Sequence, residues 1–337
     1  MRFNEFKTVP NPNILLEYDP NISDEQLKDL IVQRLQTEQD RQMLDKIYQA
    51  LEKSTLDERI TTVLAADEDA KSKLQVFAGM VMNTEGTFAE KQNFVAKYPQ
   101  GFIDVEKLMA PNQVHAYSEW LMGDEFTKRV FTNIYSYTPQ GIGAGEFALA
   151  VLSPSIRFSG RSAEMAGDLV IDGVMTEVKA KQSSGGRFQD ARKGKFNQRA
   201  VEAAFKDAGF DTDKVKSVSA IAFVRDIRGT IDPKKLPGLA ETIIAGAFAY
   251  MEKGEVAQLK NAIISGDANQ IRHEWGLLSF TNYKRMSNFD AMLLLDGPKA
   301  HSLFFNEASD VSGVLKTGAV QLYGSEQTTH PQMEFQI

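Results

Sequence analysis

The chain contains no cysteine. This excludes a disulfide framework, a thiolate-held zinc or iron–sulfur site and a thiol nucleophile. Histidine is scarce as well. His115, His273, His301 and His330 lie far apart, lack metal-ligand spacing, and read as surface or ordinary core residues. Any metal held here is therefore expected to be a hard ion held by oxygen. Long apolar runs are missing too. The most apolar helical stretch, from Leu239 to Met251, contains Glu241 and is too short to span a bilayer. The opening MRFNEFKTVPNPN has no apolar h-region of a signal peptide. No repeat, low-complexity tract, G-x-S-x-G or kinase signature stands out. These absences lead to the expectation of a soluble, cytoplasmic protein with no membrane partner.

What is there is ordinary globular composition. The chain has 337 residues, 42% of them apolar and 25% charged, with 11 prolines and 24 glycines. That length suggests about two domains and a sizeable core. The formal net charge is −7, which by itself argues against a general nucleic-acid coat. The charge is unevenly spread, however. Residues 1–110 hold 13 basic and 19 acidic side chains, a net of −6, whereas residues 179–199 hold seven basic and one acidic, a net of +6.

Periodicity organises the chain. Ser23 and Gln26 have the spacing of a capping box, and apolar residues at helical intervals follow from Leu27 to Leu51. Further helices are expected at Leu56–Met82, broken near Ala65–Asp69, and at Phe88–Lys97, Asn112–Met122 and Phe147–Leu152. Strands are expected at Asp168–Asp172, Val174–Ala180, Val218–Val224, Ala291–Leu295, Ser302–Phe305 and Val314–Leu322. A helix is expected at Gln198–Ala208 and a helical pair at Leu239–Ile264. The pattern predicts an α-helical domain over residues 1–125 and an α/β domain over residues 126–337. The acidic helical part offers a surface for a protein partner.

The stretch GDLVIDGVMTEVKAK, residues 167–181, is the informative one. Asp172-Gly173 signals a type I′ hairpin turn. With that turn, Ile171 faces Val174, Val170 faces Met175 and Asp168 faces Glu177. Lys179, two residues on, shares the side of Glu177. Leu169, Ile171, Thr176 and Val178 project to the other, largely apolar face. Two carboxylates side by side repel each other unless positive charge lies between them, and a divalent cation with oxygen ligands is a natural occupant. A nearby ammonium can position water and stabilise developing negative charge. The pattern [DE]-x-K alone carries little information. It occurs at Glu5, Asp69, Glu177 and Asp232, and only the third copy falls in a strand expected to pair with another acidic strand. Asp172 is a rival acid whose place in the turn explains it. The run Gly141-Ile142-Gly143-Ala144-Gly145 lacks a full G-x-G-x-x-G and a P-loop lysine, and reads as a flexible lead into the helix at Glu146.

The succession GEFAL, GDLVIDG, TEVKAK and GGR resembles the PD-(D/E)XK nuclease superfamily, in particular nucleases of tailed bacteriophages. The resemblance is clear over residues 140–200 and looser towards the C-terminus. It implies a restriction-endonuclease-like mixed-sheet core. It implies that Asp168 and Glu177, with the backbone carbonyl of Val178, ligate Mg²⁺ or Mn²⁺, and that Lys179 orients the attacking water. Glu146 would contact the metal through water or bind a second ion. Gly167 stands where the family name has proline.

The basic stretch that follows this motif contains Lys181, Arg187, Arg192, Lys193, Lys195 and Arg199, with Phe188 and Phe196 interspersed and a Ser-Ser-Gly-Gly loop at 183–186. Such residues suit DNA backbone contacts that give affinity with little sequence reading. The expectation is a Mg²⁺-dependent deoxyribonuclease, endonucleolytic, phage-encoded, with DNA as partner and a second copy of the chain recruited where both strands are cut. The alternative is a phage virion or assembly protein that uses the same fold to hold DNA or protein without catalysis.

Overall fold

The computed structural model describes residues 70–138, 142–159, 167–181, 186–187, 228–323 and 332–336, with a few isolated positions near 45 and 205. The chain divides into two compact units. One is Met1–Leu108 with His115–Ala180, and the other is Met109–Val114 with Lys181–Ile337. The architecture is mixed α/β.

In the first unit the helices are α1 (Ala70–Asn83), α2 (Phe88–Lys97), α3 (Val105–Leu108), α4 (Tyr117–Trp120), α5 (Glu125–Tyr135) and α6 (Glu146–Leu152). Local chemistry sets their starts. Thr87 accepts from the Glu90 N–H while the Glu90 carboxylate accepts from the Thr87 N–H, a reciprocal box that begins α2 where the sequence placed it. The bonds from Thr87, chiefly the one from its backbone, hold the Glu90 carboxyl below its ordinary value. Asp124 caps α5 by accepting from the Thr127 N–H at 3.0 Å. That helix then buries Phe126, Val130, Phe131 and Ile134. The core of this unit is aromatic. Phe94 stacks on Phe102 at 4.6 Å, and Trp120 meets Phe131 edge to face at 5.6 Å.

The strands of this unit are β1 (His115–Ala116), β2 (Ile156–Phe158), β3 (Leu169–Ile171) and β4 (Val174–Lys181). The last three form an antiparallel meander, with Ile156 opposite Ile171 and Leu169 opposite Thr176. The expected helix over Asn112–Met122 is corrected. Asn112 has φ 69 and stops a helix there, β1 takes 115–116, and only Tyr117–Trp120 is helical.

The second unit contains β5 (Gly186–Arg187), α7 (Leu236–Ala247), α8 (Ala257–Ser265), α9 (Ala268–Ser287), β6 (Ala291–Asp296), β7 (His301–Phe305), α10 (Ala308–Thr317), β8 (Val320–Tyr323) and β9 (Gln332–Phe335). Helices α7 and α8 are the expected pair, and they pack with α9 through Leu239, Ile243, Leu259, Ile263 and Trp275. Ala291–Leu295 of β6 are buried, as their unbroken apolar run requires, and Asp296 at the end of the strand is buried with them. It pairs antiparallel with β7, Met292 opposite Phe305. The expected strand over Val314–Leu322 is corrected as well. Val314 to Thr317 are the last turn of α10, Gly318 ends the helix in the left-handed region, and the strand begins at Val320. The expected strand Val218–Val224, the capping box at Ser23 and most of the helix at Gln198–Ala208 lie outside the described residues. Among the described residues no helix is long and apolar enough to cross a membrane.

Candidate functional site

Asp172 and Gly173 have φ of 48° and 85°, the paired positive values of a type I′ turn. Val170 faces Met175 and Ile171 faces Val174 as the turn demands. Alternation then divides the hairpin. Leu169, Ile171, Thr176 and Val178 are buried on one face. Glu177 and Lys179 share the other, and the Lys179 ammonium donates to Glu177 Oε1.

Asp168 is held just before β3. Its N–H donates to the Thr176 carbonyl at 3.0 Å, and its carbonyl accepts from the Ser159 N–H at 3.2 Å. The Ser159 hydroxyl donates to the Gly167 carbonyl beside it. The Asp168 carboxylate turns across to β4, where Oδ2 accepts from the Val178 N–H at 2.8 Å. Asp168 is thus tied to the strand that carries Glu177 and Lys179, and its position does not depend on ladder pairing alone.

Glu146 comes from a separate element. It is the first residue of α6, whose seven residues are all buried. Phe147 packs edge to face on Phe77 and Tyr137, and the Tyr98 hydroxyl donates to the Val151 carbonyl at 2.5 Å. These contacts fix the helix and so the point at which Glu146 leaves it. The Glu146 carboxyl is pushed up to about 8. Burial is the main cause, and the Asp168 charge adds to it, with a smaller push from Glu177. The Gly143 N–H and the Lys179 ammonium work in the opposite direction. The charges of Asp168, Glu177 and Lys179 therefore all act on Glu146, so the fold brings this carboxyl within range of all three. It does so although Glu146 stands 22 residues before Asp168 in the chain.

Gly143 and Ser159 were not singled out by the sequence as site residues. A Cβ on Gly143 would meet Glu146 Oε1 at 2.1 Å, so the carboxylate lies directly against that backbone. The available signal was the spacing of a glycine three residues before an acid at a helix start. Ser159 has no comparable signal, because its neighbour in space is Gly167.

Among the described residues no group of three or more His, Asp or Glu side chains stands ready-formed to hold a metal ion. Asp168 Oδ2 and Glu177 Oε1 are turned to protein donors. The donor chemistry nonetheless fits a hard divalent cation. Two carboxylates and a third, which holds its proton because it is buried close to them, present oxygens that a cation could take in place of the proton and the ammonium. Val178 shows its N–H engaged with Asp168, and its proposed contact would be through the carbonyl.

The proposed DNA-contacting residues are not brought to this spot by anything described. Lys181 ends β4 and Arg187 ends β5, and only their backbones are described. Arg192, Lys193, Lys195 and Arg199 lie outside the described residues. Of the histidines, His115 is buried and bonded to Glu119 at 3.0 Å, His273 contacts Glu274 and Ser312, His301 is half-buried, and His330 lies outside the described residues. None of the three described histidines joins the carboxylates. No protein-family model, no curated protein and no solved structure matches this chain.

Proposed function

We propose that the protein is a divalent-cation-dependent DNA nuclease of the PD-(D/E)XK kind, built on a restriction-endonuclease-like core. The observation that supports this most is the hairpin that ties Asp168 to the strand carrying Glu177 and Lys179, with the buried Glu146 within range of their charges. A hairpin face made only for solvent has no need of a third, buried carboxyl.

Asp168 and Glu177 would hold Mg²⁺ or Mn²⁺, with the Val178 carbonyl and Glu146 as further oxygen donors. The cation supplies Lewis acidity to the scissile phosphate and offsets its charge. Lys179, which donates to Glu177 in this structure, would exchange that partner for the attacking water and stabilise the charge that grows on phosphate oxygen. Water adds to phosphorus and loses a proton to solvent, the bond to the leaving oxygen breaks, and that oxygen takes a proton from solvent. Glu146, which keeps a proton when the cation is absent, would give it up to the cation and complete the oxygen donors. The basic segment 179–199 supplies phosphate contacts that hold the DNA.

The test is an assay on linear, circular and single-stranded DNA with Mg²⁺ or Mn²⁺. Cleavage is expected with either ion and none with EDTA. Lys179→Ala should lower the rate about a hundredfold or more while the protein remains folded by circular dichroism. Undiminished cleavage by a Lys179→Ala, Glu177→Ala double variant would overturn the assignment. Tight DNA binding with no cleavage under any of these conditions would favour a DNA-holding protein.

A further inference from the structure

The second unit contains a different constellation. Ser312 Oγ on α10 lies 2.9 Å from His273 Nε2 on α9, and His273 Nδ1 lies 3.2 Å from Glu274 Oε1. The Glu274 side chain is 12% exposed and that of His273 is 24% exposed, and Ser312 is half-buried. The acid is thus the most enclosed of the pair it forms with the imidazole.

The bonding of Ser312 differs from that of several other helical hydroxyls among the described residues. Hydroxyls in the middle of helices can turn back to the carbonyl four residues earlier. Thr132 does so to Lys128, Thr242 to Gly238, Ser279 to Trp275 and Thr281 to Leu277. Ser312, also within a helix, pairs with an imidazole on a neighbouring helix. A carboxylate on Nδ1 fixes the tautomer in which Nε2 accepts a proton, and Nε2 is the nitrogen that meets the hydroxyl. The next residue is Gly313, where a Cβ would come 2.9 Å from Asn112 Oδ1. Glycine there lets an exposed carboxamide lie alongside the backbone that carries the serine.

We infer that Ser312, His273 and Glu274 form a nucleophile, base and orienting acid that hydrolyse small carboxylic esters, with the Asn112 carboxamide as donor to the oxyanion. Ser312 Oγ bonds to the ester carbonyl carbon and its proton passes to His273 Nε2. The carbonyl oxygen takes the electron pair and accepts from the Asn112 amide. When the intermediate collapses, the bond to the alcohol oxygen breaks and that oxygen takes the proton from His273. Water then adds to the acyl carbon and loses a proton to His273. The acyl–Oγ bond breaks, Oγ regains the proton, and a carboxylic acid leaves. Glu274 touches neither substrate nor the reacting atoms and is a positioning residue. The inference stands apart from the carboxylate site of the first unit and shares no residue with it.

The experiment uses the full chain with p-nitrophenyl acetate in the presence of EDTA, which separates it from metal-dependent DNA cleavage. Wild-type protein should release p-nitrophenol about a hundredfold faster than Ser312→Ala or His273→Ala protein. Glu274→Ala should lose most of the rate and Glu274→Asp should recover part of it. A fluorophosphonate probe, which needs no variant to fold, should attach to the wild-type protein at Ser312 by peptide mass spectrometry. Equal ester hydrolysis by wild type and folded Ser312→Ala, or no probe on Ser312, overturns the inference.

Discussion

A carboxyl buried against two others keeps its proton into the neutral range, and Glu146 shows the consequence. Its ordinary value is 4.5, and in the folded protein it is raised to about 8. Between these two values the folded state holds a proton that the unfolded state has released. Stability therefore falls as pH rises through that window and levels off above it. In the presence of EDTA, the melting temperature of wild type should fall towards pH 8 relative to that of Glu146→Gln, which has no such proton to lose. A constant difference between the two across the window would contradict the burial of a titrating carboxyl. Gly143 gives a second prediction at this scale. A methyl group there meets Glu146 Oε1 at 2.1 Å and pushes the carboxylate from its place. Misplacing a catalytic group by about 1 Å can cost about a hundredfold in rate. Gly143→Ala should therefore reduce metal-dependent DNA cleavage on that order, with a melting temperature close to wild type. Full activity in this variant would remove Glu146 from the mechanism.

At the scale of the element, the β3–β4 hairpin was readable because one dipeptide specifies it. Asp172-Gly173 demands positive φ at both positions, and that turn sets every facing pair from Leu169–Thr176 inwards. Gly173 has nothing within 4 Å of the place a Cβ would occupy. Gly173→Ala should therefore cost only the backbone penalty of an L residue in the left-handed region, about 1–2 kcal/mol, seen as a lower denaturant midpoint with an unchanged slope. A much larger loss would mean that the turn makes contacts beyond its own backbone. Other elements were harder to read. Helix α9 buries Ile271, Glu274, Trp275, Ser279, Asn282 and Tyr283, a mixture of polar and apolar residues, so its hydrophobic stripe is blurred. The difference at Val314–Leu322 has another cause. Val314 has the branched side chain of a strand former, but α10 buries Val311 and Val314 together and Gly318 closes it. Packing on one helix face overrode local preference.

At the scale of the whole chain, a net charge of −7 conceals a segment of +6 that begins within the carboxylate hairpin and runs on from it. If that segment holds DNA through phosphates, binding should weaken steeply with added salt. Replacing Lys193 and Lys195 together by Gln should lower affinity for all sequences alike. It should also flatten the log–log salt dependence by about 0.9 for each phosphate no longer neutralised. An unchanged slope, measured by fluorescence anisotropy, would exclude these lysines from the DNA interface. The division into two compact units also places the aromatic helices from α1 to α5 in the same unit as the hairpin and α6. Those helices help to fix α6: Phe77 of α1 packs on Phe147, next to Glu146.

The sequence alone determined what short-range chemistry can specify. Asp172 and Gly173 specified the turn, alternation put Glu177 and Lys179 on one side, and the absence of cysteine left oxygen as the donor for a hard cation. The tertiary structure decided what depends on residues distant in the chain. The burial that protonates Glu146 comes from α6 lying among Phe77, Tyr98 and Tyr137, and the fixing of Asp168 comes from Ser159 and from the Val178 N–H. The meeting of Ser312 with His273 joins side chains 39 residues apart. Each of these depends on a close approach in space that periodicity cannot encode, because dispersion, burial and charge act across distances in space and not between positions in a string.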